Sequence, residues 1–178
     1  MILRTLMISL AALSLAACQQ HKSVVGGDSK PEGPQAPAAA DQSAASKAFL
    51  AKNAKEPGVV TLPDGLQYKI VSSGPATGLK PHINDEVKVN YEGKLIDGTV
   101  FDSSYERGQP AAMELKGLVK SWQEALVKMK PGDVWMLYVP PELGYGAEGQ
   151  GPIPPGAALI FKIELIDFLP GPGSTANG

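Results

Sequence analysis

Cysteine occurs once and histidine twice in the 178 residues of this chain. A lone cysteine excludes an intramolecular disulfide framework, and His21 and His82 lie far apart with no thiol beside either, which excludes a zinc site built from such ligands. Charge of one sign is lacking as well. Lysines and arginines number 16 against 18 acids, interleaved to a formal net charge of −2. No basic stripe therefore invites nucleic acid, and no acidic block makes a solvated tail. No apolar run reaches the ~20 residues that a membrane-crossing helix needs. What remains is 43% hydrophobic and 19% charged, ordinary for a soluble fold of one core. With aromatics at only 6%, their placement carries information.

The first residues read as a processing signal. Met1 to Arg4 is a short positive region, Thr5 to Leu15 is mostly apolar, and small Ala16-Ala17 follow, so 1–17 is expected to be a secretory signal peptide. Leu15-Ala16-Ala17-Cys18 resembles a bacterial lipobox, which makes Cys18 the expected lipidation site. Polar Gln19-Gln20-His21-Lys22 come next, where a core cysteine has no reason to stand. Each buried methylene contributes about 0.8 kcal/mol, so several acyl chains anchor a protein that does not span the bilayer. Gln19 in place of Asp resembles the signal for onward export in Gram-negative lipoproteins. The expected location is thus the bacterial envelope, anchored to the outer membrane and facing the periplasm.

Residues 18–40, with Gly26-Gly27, Pro31, Gly33, Pro34, Pro37 and an alanine run, have little to bury and read as a tether. Extended, it reaches at most ~75 Å. Residues 41–58 read as a short helical segment, SAASKAFLAKNAK, with Asp41 or Ser43 as cap and Pro57-Gly58 as stop. From Val59 the period becomes two. Leu66, Tyr68 and Ile70 alternate with Gln67 and Lys69; Val87, Val89 and Tyr91 with Lys88 and Asn90; Leu159, Phe161, Ile163 and Leu165 with Lys162 and Glu164. Residues 134–139 are apolar at every position, as a strand covered on both faces is. Trp122, Ala125, Leu126 and Met129 fall at helical spacing before Pro131-Gly132. Turn signals stand at Asp97-Gly98 and Arg107-Gly108. Many strands and one helix predict an α+β domain over 59–170, with 171–178 as a flexible C-terminal tail.

Within that domain Tyr91, Phe101-Asp102, Val119, Trp122, Tyr145 and Phe161 occur in order, in the stretches VKVNYEGKLIDGTVFDSSYERGQP, LVKSWQEAL and PPELGYGAEGQGPIPPGAALIFKIEL. These stretches hold no nucleophile with its base, no metal cluster and no phosphate-binding glycine loop. In this order they resemble the FKBP-type peptidyl-prolyl cis-trans isomerases, and among them the bacterial lipoproteins similar to macrophage infectivity potentiators. The resemblance implies an antiparallel twisted sheet wrapped around one short α-helix, and rotation about Xaa-Pro bonds without cofactor or metal. It implies Trp122 as the pocket floor and Tyr91, Phe101, Leu118, Val119 and Phe161 as substrate-binding walls, with Ile153 as an apolar lip. Asp102, Tyr145 and Phe161 are the implied catalytic residues, Tyr145 and the Val119 N–H being donors to a substrate carbonyl.

Taken alone, each residue keeps a plainer reading. Trp122, Phe161 and Tyr91 fit as core aromatics, and Asp102 as a turn or surface acid paired with Arg107. Two departures from the family pattern imply a wider pocket with a more polar rim: Ala111, with Met113 two positions on, where a larger wall residue is usual, and Lys120-Ser121 before Trp122 where glycine is common. Expected ligands are proline-containing unfolded or exported polypeptides, and FK506-like macrolides as the family's inhibitors. The alternative is a catalytically weak binding module or holdase of the same fold. The helical segment offers little more than Phe49 and Leu50 as an apolar face, so a monomer is expected.

Overall fold

The computed structural model describes residues 40–173. The expected signal peptide, Cys18, nearly all of the tether and residues 174–178 lie outside the described residues.

Seven strands form one antiparallel sheet: β1 (Val59–Thr61), β2 (Gln67–Ser72), β3 (Glu86–Leu95), β4 (Val100–Ser103), β5 (Ala111–Glu114), β6 (Val134–Val139) and β7 (Leu159–Leu169). Their order is β1-β2-β6-β7-β3-β4, with β5 also pairing β3. The long central pair β3 and β7 follows the predicted alternation. Val87, Val89 and Tyr91 on one strand and Leu159, Phe161, Ile163 and Leu165 on the other turn inward and are buried, while Lys88 and Lys162 point to water. Against this inner face lies α2 (Lys120–Leu126), whose Trp122, Ala125 and Leu126 are buried. The helix ends one turn short of the periodic pattern, but Met129 still reaches the core, its N–H bonded to Leu126 O at 3.1 Å. Each fully buried large apolar side chain contributes about 1.5–3 kcal/mol.

Strand β2 keeps its predicted inner face only at its start, and its other face is partly covered too. Leu66 is buried and Tyr68 stacks on Trp135 with ring centroids 4.5 Å apart, but Ile70 is 49% and Val71 56% exposed, and the buried residue within the strand is Gln67. Gln67 is buried because α1 (Ser43–Asn53), the expected helical segment, packs over its side of the strand. Gln67 Nε2 donates to Leu50 O at 2.9 Å, and its Oε1 accepts from Asn53 Nδ2 at 2.8 Å. The same helix explains the doubly apolar β6: Trp135, Leu137 and Val139 face the core, while Tyr138 on the other side meets Phe49 with centroids 6.1 Å apart. The buried residues of α1 are polar, Ser46 and Asn53, so it docks by hydrogen bonds more than by its thin apolar face.

Strand β4 carries a bulge. Gly93 of β3 pairs with Asp102 and Lys94 with Val100, which leaves Phe101 as the extra residue. Consecutive strand residues normally point to opposite faces, and a bulge re-aims one of them. The start of the expected tail is also tied down, because Gly171 N–H donates to the buried Asp85 carboxylate at 3.0 Å.

Candidate functional site

The β4 bulge lets Phe101 and Asp102 line the same cleft, a cavity of about 360 Å³ at one end of the sheet. Trp122, in the first turn of α2, sits at its centre of packing. Its indole meets the Tyr91 ring edge-on at 5.1 Å and 83°, and the Phe161 ring at 5.3 Å and 88°. Phe101 meets Phe161 at 5.6 Å and 90°. Such perpendicular aromatic pairs contribute ~0.5–1.5 kcal/mol each beyond their buried area, so the rings hold one another in place before any ligand arrives. The rings come this close because Gly93 lies beneath them: a Cβ there would fall 2.6 Å from Phe101 Cζ and 2.8 Å from Phe161 Cε1.

Leu118 and Val119 line the cleft where an extended strap enters α2. Gln123 Nε2 fixes that strap by donating to Leu118 O at 2.7 Å and Lys116 O at 3.1 Å. The Val119 carbonyl begins the helix by accepting from Trp122 N–H at 3.0 Å. Its own N–H has no hydrogen-bond partner among the described residues.

Tyr91 and Asp102 on the polar side of the cleft are tied into one set of three with Arg107. Tyr91 Oη donates to Asp102 Oδ2 at 2.5 Å, Arg107 Nη2 donates to Tyr91 Oη at 2.8 Å, and Arg107 Nη1 bonds Asp102 Oδ1. The Arg107 guanidinium also stands 5.3 Å from the centre of the Tyr91 ring. Asp102 thus fits both of its predicted descriptions, lining the cleft while pairing with Arg107, and its side chain is 43% exposed. Burial pushes its carboxyl up, but the hydrogen bonds from Tyr91 and Arg107 and the adjacent positive charge outweigh this and hold it below the usual carboxylate range. It is an anion at neutral pH. Tyr145 lines the cleft from the glycine-flanked loop after β6; burial, then the charge of Asp102, pushes its phenol up, so it stays a protonated donor.

Ile153 stands apart from the other predicted site residues. It is buried in the core and does not line the cleft. The reason is a tight turn in which Gln150 N–H donates to Ile153 O at 3.0 Å and Ile153 N–H returns to Gln150 O at 2.9 Å, leaving Gln150 at the cleft and Ile153 inside. Nor do Lys120 and Ser121 make a polar rim: neither lines the cleft, and Ser121 is fully buried with no hydrogen-bond partner for its Oγ among the described residues. Met113 does line it, whereas Ala111 packs toward the core. Gly117 and Gln150 are lining residues that sequence reasoning passed over. Gln150 was within reach of it, since the run of glycines from 144 to 151 marks a loop whose polar residues are free to face a ligand.

Comparison with known proteins agrees with this architecture. The family model for FKBP-type peptidyl-prolyl cis-trans isomerase matches residues 78–166, and that for the domain amino terminal to such isomerases matches residues 12–70. The chain is 60% identical over 122 residues to "Peptidyl-prolyl cis-trans isomerase Mip" of Coxiella burnetii, covering 68% of this chain and 52% of that protein. It is 48% identical over 129 residues to "Outer membrane protein MIP" of Legionella longbeachae, covering 72% and 54%. It spans about half the length of the curated relatives it matches. Among solved structures, FkpA from Escherichia coli aligns with a TM-score of 0.69 at 45% identity, over 72% of this chain and 60% of that one. A peptidyl-prolyl cis-trans isomerase from Pseudomonas syringae aligns with a TM-score of 0.65 at 38% identity, over 76% and 98%. With a family model matched across half of its residues and solved members sharing its sheet at these identities, the chain belongs to the FKBP-type peptidyl-prolyl cis-trans isomerase family.

Proposed function

We propose that the chain catalyses cis-trans rotation of Xaa-Pro bonds in exported polypeptides, displayed in the bacterial envelope from a lipid anchor at Cys18. The observation that carries this reading is the cleft itself: an apolar cup of mutually locked rings around Trp122, with Tyr145 and the Val119 N–H as available donors. A proline ring is gripped there by area. At ~25 cal/mol per Å² its burial gives a few kcal/mol, suited to brief encounters with unfolded chains.

Rotation about the bond meets a barrier of ~18–20 kcal/mol because twisting destroys amide resonance. Apolar walls disfavour the planar, charge-separated amide more than the twisted one, and donors placed for the twisted carbonyl add to the difference. A 10⁵-fold acceleration asks for only about 7 kcal/mol. No proton changes hands. Asp102, held ionised, acts through its field and by fixing the Tyr91 ring. The envelope location is supported by the lipobox-like Leu15-Ala16-Ala17-Cys18 and by a relative bearing the name of an outer membrane protein.

Two measurements test this. A denatured protein whose slow refolding phase is limited by a cis-proline is allowed to refold with one chain per hundred substrate molecules. Faster refolding at that ratio is the expected result; an effect only at equal concentrations identifies a holdase instead. Labelled palmitate should enter the wild-type protein in a Gram-negative host and not a Cys18→Ser variant, and equal labelling of both would remove the anchor from the proposal.

A further inference from the structure

The segment between Tyr145 and β7 runs outside the sheet, so its backbone polar groups must find partners elsewhere. At the cleft end it satisfies itself, through the Gln150–Ile153 turn and Gly149 N–H to Tyr145 O at 3.2 Å. At the far end the partners come from α1 and the residue before it. Gln42 N–H donates to Pro155 O at 2.8 Å, Ser46 Oγ donates to Gly156 O at 2.8 Å, and Ala158 N–H donates to Ser46 Oγ at 2.6 Å. Ser46 is 1% exposed. Its hydroxyl has exchanged water for these two bonds and serves as donor and acceptor at once. No smaller side chain can bridge a carbonyl and an N–H in this way.

The contact continues toward the cleft. Gly156 N–H donates to the carbonyl of Gly146, the neighbour of Tyr145, at 3.1 Å. Gly156 has φ +66°, and a Cβ on it would fall 2.2 Å from Ser43 Oγ and 2.5 Å from Asp41 Oδ1, so the start of α1 closes on this loop with no room for a side chain. Ser46, Gly156, Gly146 and Tyr145 thus form one connected run. The other anchor of α1, Asn53 on Gln67, lies at the opposite end of the helix on β2.

We propose that Ser46 is a positioning residue for the cleft: through its hydroxyl, α1 holds the 145–158 loop and so sets where Tyr145 stands relative to a substrate carbonyl. The proposal rests on the isomerase reading of the cleft. It makes the helical segment part of the enzyme and not a spacer between tether and domain. Alanine at position 46 leaves the Gly156 carbonyl and the Ala158 N–H without their partner, and the loop free to shift.

The test uses the full chain, comparing wild type, Ser46→Ala and Asn53→Ala, each alone and combined with Tyr145→Phe. Amide exchange and the split between kcat and KM for a proline peptide are read at a temperature where all are folded. In Ser46→Ala the Gly156 and Ala158 amides should exchange at least tenfold faster while those of β3 and α2 keep their protection. Turnover should fall three- to tenfold, mainly in kcat, and Tyr145→Phe should cost less on this background than on wild type. Asn53→Ala should lower the melting temperature and leave kcat alone. Wild-type kcat in Ser46→Ala, a full Tyr145→Phe loss on that background, or the same kcat loss in Asn53→Ala would each overturn the positioning role while leaving the isomerase reading intact. A wild-type chain without turnover overturns that reading, and the proposal with it. Should Ser46→Ala fail to fold, Ser46→Cys, of similar size but a weak donor, gives the same comparison.

Discussion

Gly93 shows how much of the cleft depends on a single missing atom. Its φ is not in the left-handed region, so alanine there is strained by nothing but the rings above it, 2.6 and 2.8 Å from where the Cβ would stand. Gly93→Ala is expected to push Phe101 and Phe161 outward, with a stability loss of about 1–3 kcal/mol from overpacking. The misplaced walls should lower kcat/KM for a proline peptide by roughly tenfold or more. Denaturant melts and steady-state kinetics check the two separately; unchanged turnover in a folded variant would show that the rings need not sit where they do. At this scale the sequence was uneven. Trp122, Tyr91, Phe101 and Phe161 stood out because aromatics are scarce and their order resembles a family. Gly93 did not, because its role arises from rings on two other strands, and nothing in its neighbours along the chain reports that approach. The orientation of Ile153 is hidden for a similar reason: which way that loop residue points is decided by the turn that Gln150 closes.

Elements meet through buried carboxylates as well as through the core. Asp133, at the start of β6, accepts from Gly74 N–H at 2.7 Å, from Lys130 N–H at 3.0 Å and from Lys130 Nζ at 3.0 Å, with its side chain 6% exposed. Burial pushes this carboxyl up, but the hydrogen bonds and the Lys130 charge outweigh it and hold the pKa below the ordinary value. An unfolded aspartate titrates near ~3.9, so the stabilisation is fully present above about pH 4 and is lost as pH falls through the lower folded value. Asp133→Asn should therefore cost about 3 kcal/mol at pH 7 and melt with a flatter pH dependence below pH 4. Parallel curves for the two proteins down to pH 2 would contradict this. The strands were legible from alternation, yet alternation names two faces without saying which is covered. That is why Gln67 is buried against expectation: its cover is α1, whose docking residues Ser46 and Asn53 are polar and carry no periodic signal.

At the scale of the whole molecule, a seven-stranded sheet folds its inner face onto one short helix and leaves a cleft, aromatic on one side and polar on the other, where helix, bulge and loop meet. On its polar side, Tyr91, Asp102 and Arg107 are arranged to hold a charge and a hydroxyl in place. That architecture was the most legible part of the sequence, since it follows from the summed pattern of many residues; the dependence of the cleft on a preceding helix was the least, since it rests on single hydrogen bonds between residues 110 or more apart. The most direct measurement is the cis-to-trans relaxation of an Ala-Leu-Pro-Phe-type peptide, followed without a coupling protease, for wild type, Trp122→Ala and Tyr145→Phe, each verified as folded by circular dichroism. The account predicts strong acceleration by wild type, at least a hundredfold less by Trp122→Ala, and an intermediate loss for Tyr145→Phe. A folded wild-type protein that leaves the peptide at its spontaneous rate, or a Trp122→Ala variant that matches wild type, would contradict it.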